Sequence, residues 1–257
     1  MTNHTPPPNI PPRRLLIRIQ PQRSPRRAHQ LLRAGIRDGL IHRGEMLVED
    51  RLVKALATSR NSVREALQLL VSERLVTRQA HHGTRVAGRI RRVSIDKPNL
   101  FGVTQNSGPG TVAWKELERQ ILPAPEIVAA KLGLEPGALV LVTEHLLVTN
   151  DEPYSLRVAY RPLRESELDE FRYPPESAEE EISHLYRTIT RVEATLEAVG
   201  SESRTAHLLG IDPGAPLLLH ELVMYDGDDN QRELSFNSYH GGRVAMTSTN
   251  LVTPWGL

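Results

Sequence analysis

Apolar residues recur at helical spacing in three successive sets near the N-terminal end of the chain. The sets are Ala28, Leu31, Leu32 and Ile36, then Val48, Leu52, Val53 and Leu56, and then Val63, Ala66, Leu67, Leu70 and Val71. Side chains three and four residues apart line one face of a helix, so each set predicts a helix with one buried face. Gly39 is placed to end the first helix, and Ser59 is a suitable N-cap for the third.

Two short extended runs follow the third predicted helix. LVTRQ at residues 75–79 and TRVAG at residues 84–88 flank the sequence AHHG, a pattern typical of a small β-hairpin. Three helices followed by a hairpin are the plan of a winged helix-turn-helix, which we therefore predict for residues 26–92. Residues 1–25 contain seven prolines among several arginines and cannot bury a core. They predict a disordered basic arm, which is either a plain solvated tail or a contact to DNA phosphates.

The second half of the chain contains an internal repeat. LGLEPGALVLV at residues 132–142 is echoed by LGIDPGAPLLL at residues 209–219. Each copy follows a short helical stretch and precedes a strand, a polar turn and another strand, which predicts a mainly antiparallel sheet with helices packed on it and a pseudo-symmetric cleft. Residues 179–196, between the copies, are predicted to be helical. Residues 93–112 are rich in Gly, Pro, Asn and Ser and predict a linker, so the 257-residue chain is an α+β protein of two domains.

Charge is distributed very unevenly between the two predicted domains. Residues 1–92 hold 19 Lys and Arg against 6 Asp and Glu, whereas residues 93–257 hold 13 against 25. A basic first part joined to an acidic second part favours nucleic acid as a partner of the N-terminal domain alone. Two solvated surfaces of accidental sign would give the same totals.

The third predicted helix carries the polar groups of a recognition helix opposite its apolar face. These are Arg60, Asn61, Arg64 and Gln68. Arginine pairs bidentately with guanine, and Asn or Gln pairs with adenine, in the major groove. Ser59 and Ser62 would contact phosphates together with the helix N-terminus. An ordinary amphipathic surface helix has the same pattern, and the neighbouring hairpin and basic charge favour the recognition helix.

Other classes of function find little support in the sequence. The chain has no cysteine, which excludes disulfides, cysteine-ligated zinc and a thiol nucleophile and fits the reducing cytoplasm. It has no apolar run of about 20 residues, so we predict no association with membranes. We find no Ser-His-Asp arrangement, HExxH, P-loop or GxGxxG, and His81-His82 is too short for a metal site. The sequence thus predicts no catalytic residue, cofactor or metal, and the open alternatives are a lyase-like enzyme and a non-specific nucleoid-type DNA binder.

Residues 39–88 resemble the winged helix of the GntR family of bacterial regulators. The resemblance rests on SRNSVREAL at residues 59–67, on the glycines at 39 and 44, and on Gly83-Thr84. It implies that five residues of the third helix face double-stranded DNA and that Gly83, at the wing tip, approaches the minor groove. The five are Ser59, Arg60, Asn61, Ser62 and Arg64. Gln68, Thr84 and Arg85 complete the predicted DNA-binding set, and Glu65 is interpreted as structural, paired with a neighbouring arginine.

Residues 121–248 resemble the UTRA effector domain of the HutC branch of the same family. The matching stretches are ILPAPEIVAAKLGLEPGALV, NDEPYSLRVAYRP and LLGIDPGAPLLLHELVMYDGDDNQRELSFNSYHGG. The resemblance implies a mixed α/β, chorismate-lyase-like domain over residues 113–257 that binds a small-molecule effector. It also implies a homodimer that binds a near-palindromic DNA operator, more often as a repressor than as an activator.

An effector site can be predicted inside that domain. Strand alternation places Glu233, Ser235, Asn237 and Tyr239 on one face. By resemblance, Glu233 and Tyr239 match ligand contacts of sugar-phosphate-sensing members, Arg157 stands where those members often have Glu, and His145 and Leu147 replace two arginines.

The two replaced arginines argue against a sugar phosphate, whereas Arg157 would suit another anion, a carboxylate or a phosphate. Arg157 is alternatively one half of an ion pair, and His145 is alternatively a solvated strand residue. The predicted effector site consists of His145, Arg157, Glu233, Ser235 and Tyr239.

Overall fold

The computed structural model of the chain describes residues 24–79, 83–95, 112–149, 152–163 and 184–248. Nearly all of the predicted N-terminal arm, the hairpin turn with His81-His82 and most of the predicted linker lie outside these residues. The described residues divide into two compact units. The first contains residues 24–34 and 44–86, and the second contains residues 35–43 and those from 87 onward.

The first unit has the predicted three helices and hairpin. They are α1 (Pro25–Arg37), α2 (Glu49–Ala55), α3 (Arg60–Ser72), β1 (Val76–Gln79) and β2 (Gly83–Val86). The two strands pair antiparallel, from Val76 opposite Val86 to Gln79 opposite Gly83. Most of the predicted apolar residues of α1 and α3 are buried, with Leu32 and Leu70 at the centres of the two faces, but Leu31 and Val71 are exposed. The prediction of a buried face is wrong for α2, in which no residue is buried. The prediction of a winged helix-turn-helix is nevertheless confirmed.

The position of α3 is fixed at both of its ends. The Oγ of Ser59 accepts the backbone N–H of Ser62 at 3.1 Å, so the predicted N-cap is confirmed. At the other end, Glu73 accepts hydrogen bonds from His29 at 2.7 Å and from Arg33 at 2.5 Å, both on α1. These contacts hold the exposed face of α3 in one orientation within its unit.

The second unit is built around one six-stranded sheet. Its strands are β4 (Val112–Pro123), β5 (Leu139–Thr149), β6 (Glu152–Pro162), β7 (Ile189–Gly200), β8 (Pro216–Asp226) and β9 (Gln231–His240), with α4 (Glu126–Leu132) and α5 (Ser203–Leu209) between them. The strand order is β4-β5-β6-β9-β8-β7, and every neighbouring pair is antiparallel. A separate parallel pair joins β3 (Arg91–Ser94) to β10 (Val244–Thr247). The predicted antiparallel sheet with packed helices is confirmed.

The internal repeat forms the two halves of this sheet. Strands β4, β5 and β6 with α4 make one half, strands β7, β8 and β9 with α5 make the other, and the halves meet at the β6–β9 pair. Both helices end at a glycine in the left-handed conformation, Gly133 with φ 62° and Gly210 with φ 63°. A residue with a Cβ atom is strained there, so the repeated glycine encodes the same helix end twice.

The prediction of a helix over residues 179–196 is wrong at its C-terminal end. Of the described residues in that range, 184–187 are helical, but Ile189–Gly200 form β7, an edge strand that pairs with β8. Apolar residues alternate with polar ones along β7 with a period of two, which is the strand signal. They are Val192, Ala194, Leu196 and Ala198.

The two faces of the sheet differ in chemistry. One face packs against α4 through Val140, Val142 and Leu234 and against α5 through Leu146, Leu156 and Leu217. The side chains that alternate with these belong to the opposite face. Val93 of β3 and Val244 of β10 pack against one end of that face, beside Leu147, Tyr154 and Tyr239. The rest of that face carries the buried polar residues described below.

Candidate DNA interface and effector site

Four of the nine predicted DNA-binding residues lie together on the exposed face of α3. Arg60, Asn61, Arg64 and Gln68 are exposed, and Ser59 is half-buried at the start of the helix. Ser62 is different, because it is buried and its hydroxyl lies 2.9 Å from the hydroxyl of Ser59. Its contacts are those of the helix cap.

The wing residues alternate between exposed and buried positions along β2. Gly83 and Arg85 are exposed, whereas Thr84 is buried and its carbonyl accepts the backbone N–H of Leu47 at 2.8 Å. Arg85 donates from Nη1 to the carbonyl of Gly44 at 3.0 Å. The wing is thereby tied to the segment that precedes α2.

Acidic side chains accompany the polar residues of α3. The Arg64 Nε donates to Glu49 and the Arg60 Nη2 donates to Asp50, and both acids lie in the first turn of α2. Asn61 donates to Glu65 at 2.6 Å. The predicted arginine partner of Glu65 is thus replaced by an amide, although the residue keeps a structural contact.

In the second unit, a row of four polar side chains crosses the sheet. The strand register places His145 opposite Arg157, Arg157 opposite Asn237, and Asn237 opposite His220. Residues directly opposite each other in antiparallel strands share a face, so the row runs across β5, β6, β9 and β8. All four residues are at most 5% exposed. The interpretation of His145 as a solvated strand residue is therefore wrong.

Arg157 and Glu233 form a buried ion pair at the centre of this face. The Arg157 Nη2 donates to the Glu233 carboxylate, and both side chains are almost completely buried. Burial alone would lower the pKa of Arg157, but Glu233 opposes it and the net result is a raised pKa. The small residues Ala159 and Ser235 are paired on the neighbouring rung of the sheet, and both are buried.

Several polar atoms around the row have no hydrogen-bond partner among the described residues. They are both ring nitrogens of His145 and of His220, the Nε of Arg157 and the Oγ of Ser155. The closest carboxylate oxygen to His145 belongs to Glu116, 3.7 Å from Nε2. An unpaired buried polar group costs about 1–3 kcal/mol. A concentration of such groups on one face is what a binding site for a polar ligand requires.

The titratable groups of this face stay in their neutral forms near pH 7, apart from the ion pair. Burial, with a further contribution from Arg157, lowers the pKa of His145 to about 4, and burial lowers the pKa of His220. Burial also raises the pKa of Tyr239 to about 12 and that of Tyr186 well above its usual range. A neutral imidazole offers one donor and one acceptor, so the face can recognise a ligand by hydrogen bonds as well as by charge.

Sequence reasoning found part of this face and missed the rest. It predicted His145, Arg157, Glu233, Ser235 and Tyr239, all of which are buried in this unit. It missed Ser155 and His220 on the strands, and Tyr186, which lies in the helical stretch 184–187 and interacts with Arg157 and Glu233. The one signal for His220 is that it interrupts the apolar run LLLHELV of a buried strand.

The sequence also predicted no metal site and no association with membranes. The residues that the structure describes include no cluster of three or more His, Cys, Asp or Glu side chains suited to a metal ion. Among the helices of the described ranges, none is both long enough and apolar enough to span a membrane.

Two family models match the chain. The one described as "Bacterial regulatory proteins, gntR family" matches residues 25–86, and the one described as "UTRA domain" matches residues 110–245. The HTH-type transcriptional repressor PhnF of Mycolicibacterium smegmatis is 29% identical over 235 residues, which cover 86% of this chain and 91% of that protein. The HTH-type transcriptional repressor NagR of Bacillus subtilis is 26% identical over 218 residues, which cover 84% of this chain and 89% of NagR.

A solved structure shows the same fold. The crystal structure of PhnF from Mycobacterium smegmatis is 24% identical, covers 88% of this chain and 100% of its own, and superposes with a TM-score of 0.62. The resemblance found in the sequence is therefore confirmed for both domains. The chain belongs to the gntR family of bacterial regulatory proteins, and it is a DNA-binding transcription regulator of the HutC type with a UTRA effector domain.

Proposed function

We propose that the chain is a cytoplasmic, homodimeric repressor that binds a near-palindromic operator through α3 and the wing. An anionic small molecule binds the buried polar face of the UTRA domain and releases or shifts the protein on DNA. The observation that carries the proposal is the row of buried polar groups around Arg157, several of them without a partner in the described parts of the chain. Unsatisfied buried polar atoms destabilise the fold, so their concentration on one face favours a site that a polar ligand fills.

The DNA contacts that we propose follow from exposure and spacing on α3. Arg60, Arg64 and Gln68 lie one turn apart on the exposed face, where they can enter the major groove together. Asn61 is exposed next to them, and we expect Ser59 and the N-terminal turn of α3 to contact phosphates. We assign Ser62 and Thr84 to supporting the helix and the wing because both are buried.

Dimerisation and repression are supported indirectly. A two-fold symmetric protein presents two equal recognition helices, which match two half-sites of a near-palindrome. PhnF and NagR are both named as repressors, which favours repression here.

The proposed effector carries an anionic group that contacts Arg157. Glu233 occupies Nη2 of the guanidinium, whereas Nε has no partner among the described residues and can donate to a carboxylate or phosphate oxygen. His145 and the Ser155 hydroxyl supply uncharged hydrogen-bonding groups to the rest of the ligand. We therefore expect a polar anion rather than an apolar ligand.

The strand that packs beside the proposed effector site follows the wing strand closely in the chain. Tyr239 packs in the same buried cluster as Val93 of β3. Strand β3 begins at Arg91, and the wing strand β2 ends at Val86. A ligand that displaces Tyr239 would therefore disturb β3, which follows the wing strand in the chain.

We expect the Arg64→Ala variant to lose about 1–3 kcal/mol of binding free energy and to relax base preference at one position of each half-site. The full chain would first select duplexes from a random library, and fluorescence anisotropy would then compare the variant with the wild type on the selected duplex. Lys115→Ala, which removes an exposed positive charge from β4, is the control and should bind like the wild type. Wild-type affinity of Arg64→Ala would refute the assignment of Arg64.

The effector proposal has its own test, a thermal melting series with inorganic phosphate and a panel of small mono- and dicarboxylates. We expect one class of anion to raise the melting temperature of the wild type. The same anion should raise the melting temperature of the Ser155→Ala variant by a smaller amount. A rise that is equal in both proteins would contradict the placement of the ligand on this face.

A further inference from the structure

Two carboxylates from α2 contact the two arginines of α3 that we expect to face DNA, and they do so at different edges of the guanidinium groups. Glu49 accepts from Arg64 Nε, at 3.2 Å to Oε2 and 3.4 Å to Oε1. Asp50 accepts from the terminal Nη2 of Arg60. Neither acid belongs to the set of DNA-binding residues expected from the sequence.

Because Glu49 contacts only Nε of Arg64, the two terminal nitrogens of the guanidinium are not used by this pair. Bidentate recognition of guanine uses two N–H donors of the guanidinium against O6 and N7. Glu49 contacts Nε alone, so Nη1 and Nη2 can both donate to the base. The Glu49 side chain is 26% exposed and that of Arg64 is 59% exposed, so the less exposed residue of the pair contacts the more exposed one. Orienting the planar group in advance reduces the conformational entropy lost on binding.

The contact at Nη2 has the opposite consequence for Arg60. Donation to Asp50 uses one of the two N–H groups of Nη2 and puts a carboxylate at the terminal end of the guanidinium, the end that would contact a base or phosphate. Both side chains are largely exposed, at 61% and 68%, so the pair is easily separated. The carboxylate that is released then lies next to DNA phosphates, which repel it.

We propose that Glu49 is a positioning residue that orients Arg64 toward guanine, whereas Asp50 restrains Arg60 and lowers affinity for DNA of any sequence. This inference rests on the proposed reading of DNA by α3. Stabilisation of α2 by acidic side chains in its first turn is the simpler explanation of both residues. That explanation gives Glu49 and Asp50 the same effect, whereas our proposal gives them opposite effects on specificity and affinity.

The test compares Glu49→Gln and Asp50→Asn in the full chain, on the selected duplex and on a shuffled duplex of equal composition. We expect Glu49→Gln to reduce the ratio of specific to non-specific affinity by about 5- to 10-fold, part of the loss expected for Arg64 itself. Its selected motif should lose preference for one guanine in each half-site. We expect Asp50→Asn to raise affinity for both duplexes about 2- to 5-fold and to leave the motif unchanged, as removal of one repulsive charge would.

A double variant separates positioning from general structural damage. If Glu49 acts through Arg64, Glu49→Gln changes the specificity ratio in the wild type and leaves it unchanged in the Arg64→Ala background. Melting temperatures of all variants report any loss of folding separately.

An unchanged motif in Glu49→Gln, or an equal gain of affinity in both single variants, would overturn the inference and leave the proposed function intact. Failure of the wild type to select any motif would instead contradict the proposed function and this inference with it.

Discussion

The Glu233→Leu variant is expected to lose about 3–5 kcal/mol in the free energy of unfolding of the UTRA domain. Arg157 would then remain buried without its carboxylate, because the guanidinium stays protonated and the site admits little water. Urea unfolding of the full chain, followed by tryptophan fluorescence, measures the loss. Trp114 reports on this domain because it lies in β4, with the Arg157 guanidinium 6.0 Å from its ring centroid.

Two further variants test whether the loss of stability comes from the unpaired, buried Arg157. Glu193→Leu removes an exposed carboxylate that accepts from Arg191 Nη1 at 2.5 Å and from the Tyr225 hydroxyl at 3.0 Å, and it should change stability much less than Glu233→Leu does. The double variant Arg157→Met/Glu233→Leu replaces the whole buried pair with apolar side chains and should recover most of the lost stability. It should also stop responding to the effector. A Glu233→Leu variant as stable as the wild type would contradict the buried pair.

The UTRA domain is also expected to become less stable as the pH falls from about 6.5 to about 4. Burial lowers the pKa of His145 from 6.5 to about 4 in the folded protein, so in this range the unfolded chain binds the proton first. The contribution of His145 to the free energy of unfolding is complete above about pH 6.5 and is lost progressively as the pH falls to about 4. Its size is at most about 3 kcal/mol, and His220, with its pKa shifted in the same direction, adds to it.

Urea midpoints at several pH values between 7.5 and 4.5 check this dependence. His145→Gln should flatten the pH dependence, because the substituted side chain does not titrate. His184→Gln, which replaces a histidine at an exposed position, is the matched control for this substitution. Stability that is constant or rises toward low pH in the wild type would show that His145 is not buried in its neutral form.

Local sequence signals were sufficient for the first domain and for the outline of the second. The apolar spacing of α3 and the capping hydroxyl of Ser59 depend on residues within a few positions of each other, and both predictions are confirmed. The repeated glycine at the ends of α4 and α5 likewise follows from a local backbone requirement. Local chemistry therefore identified these elements without knowledge of the tertiary structure.

The polar row depends on strand order, which no local signal contains. Alternation shows which residues of a strand share a face, but it does not show that β6 lies beside β9. That pairing brings Arg157 opposite Asn237 and next to Glu233, 76 residues further along the chain. The same limit explains why the partners of Arg60 and Arg64 on α2 were missed, since their contacts cross the turn between the helices.

The most direct test of sequence-specific DNA binding is an anisotropy titration of the wild-type chain on its selected duplex and on a shuffled duplex, at about 50 mM and about 200 mM salt. We predict that the selected duplex binds at least about a thousandfold more tightly. We also predict that both affinities fall steeply with salt, as release of counterions from neutralised phosphates requires. Equal affinity for the two duplexes, or binding that does not change with salt, would contradict the account of α3 and the wing as the surface that reads DNA.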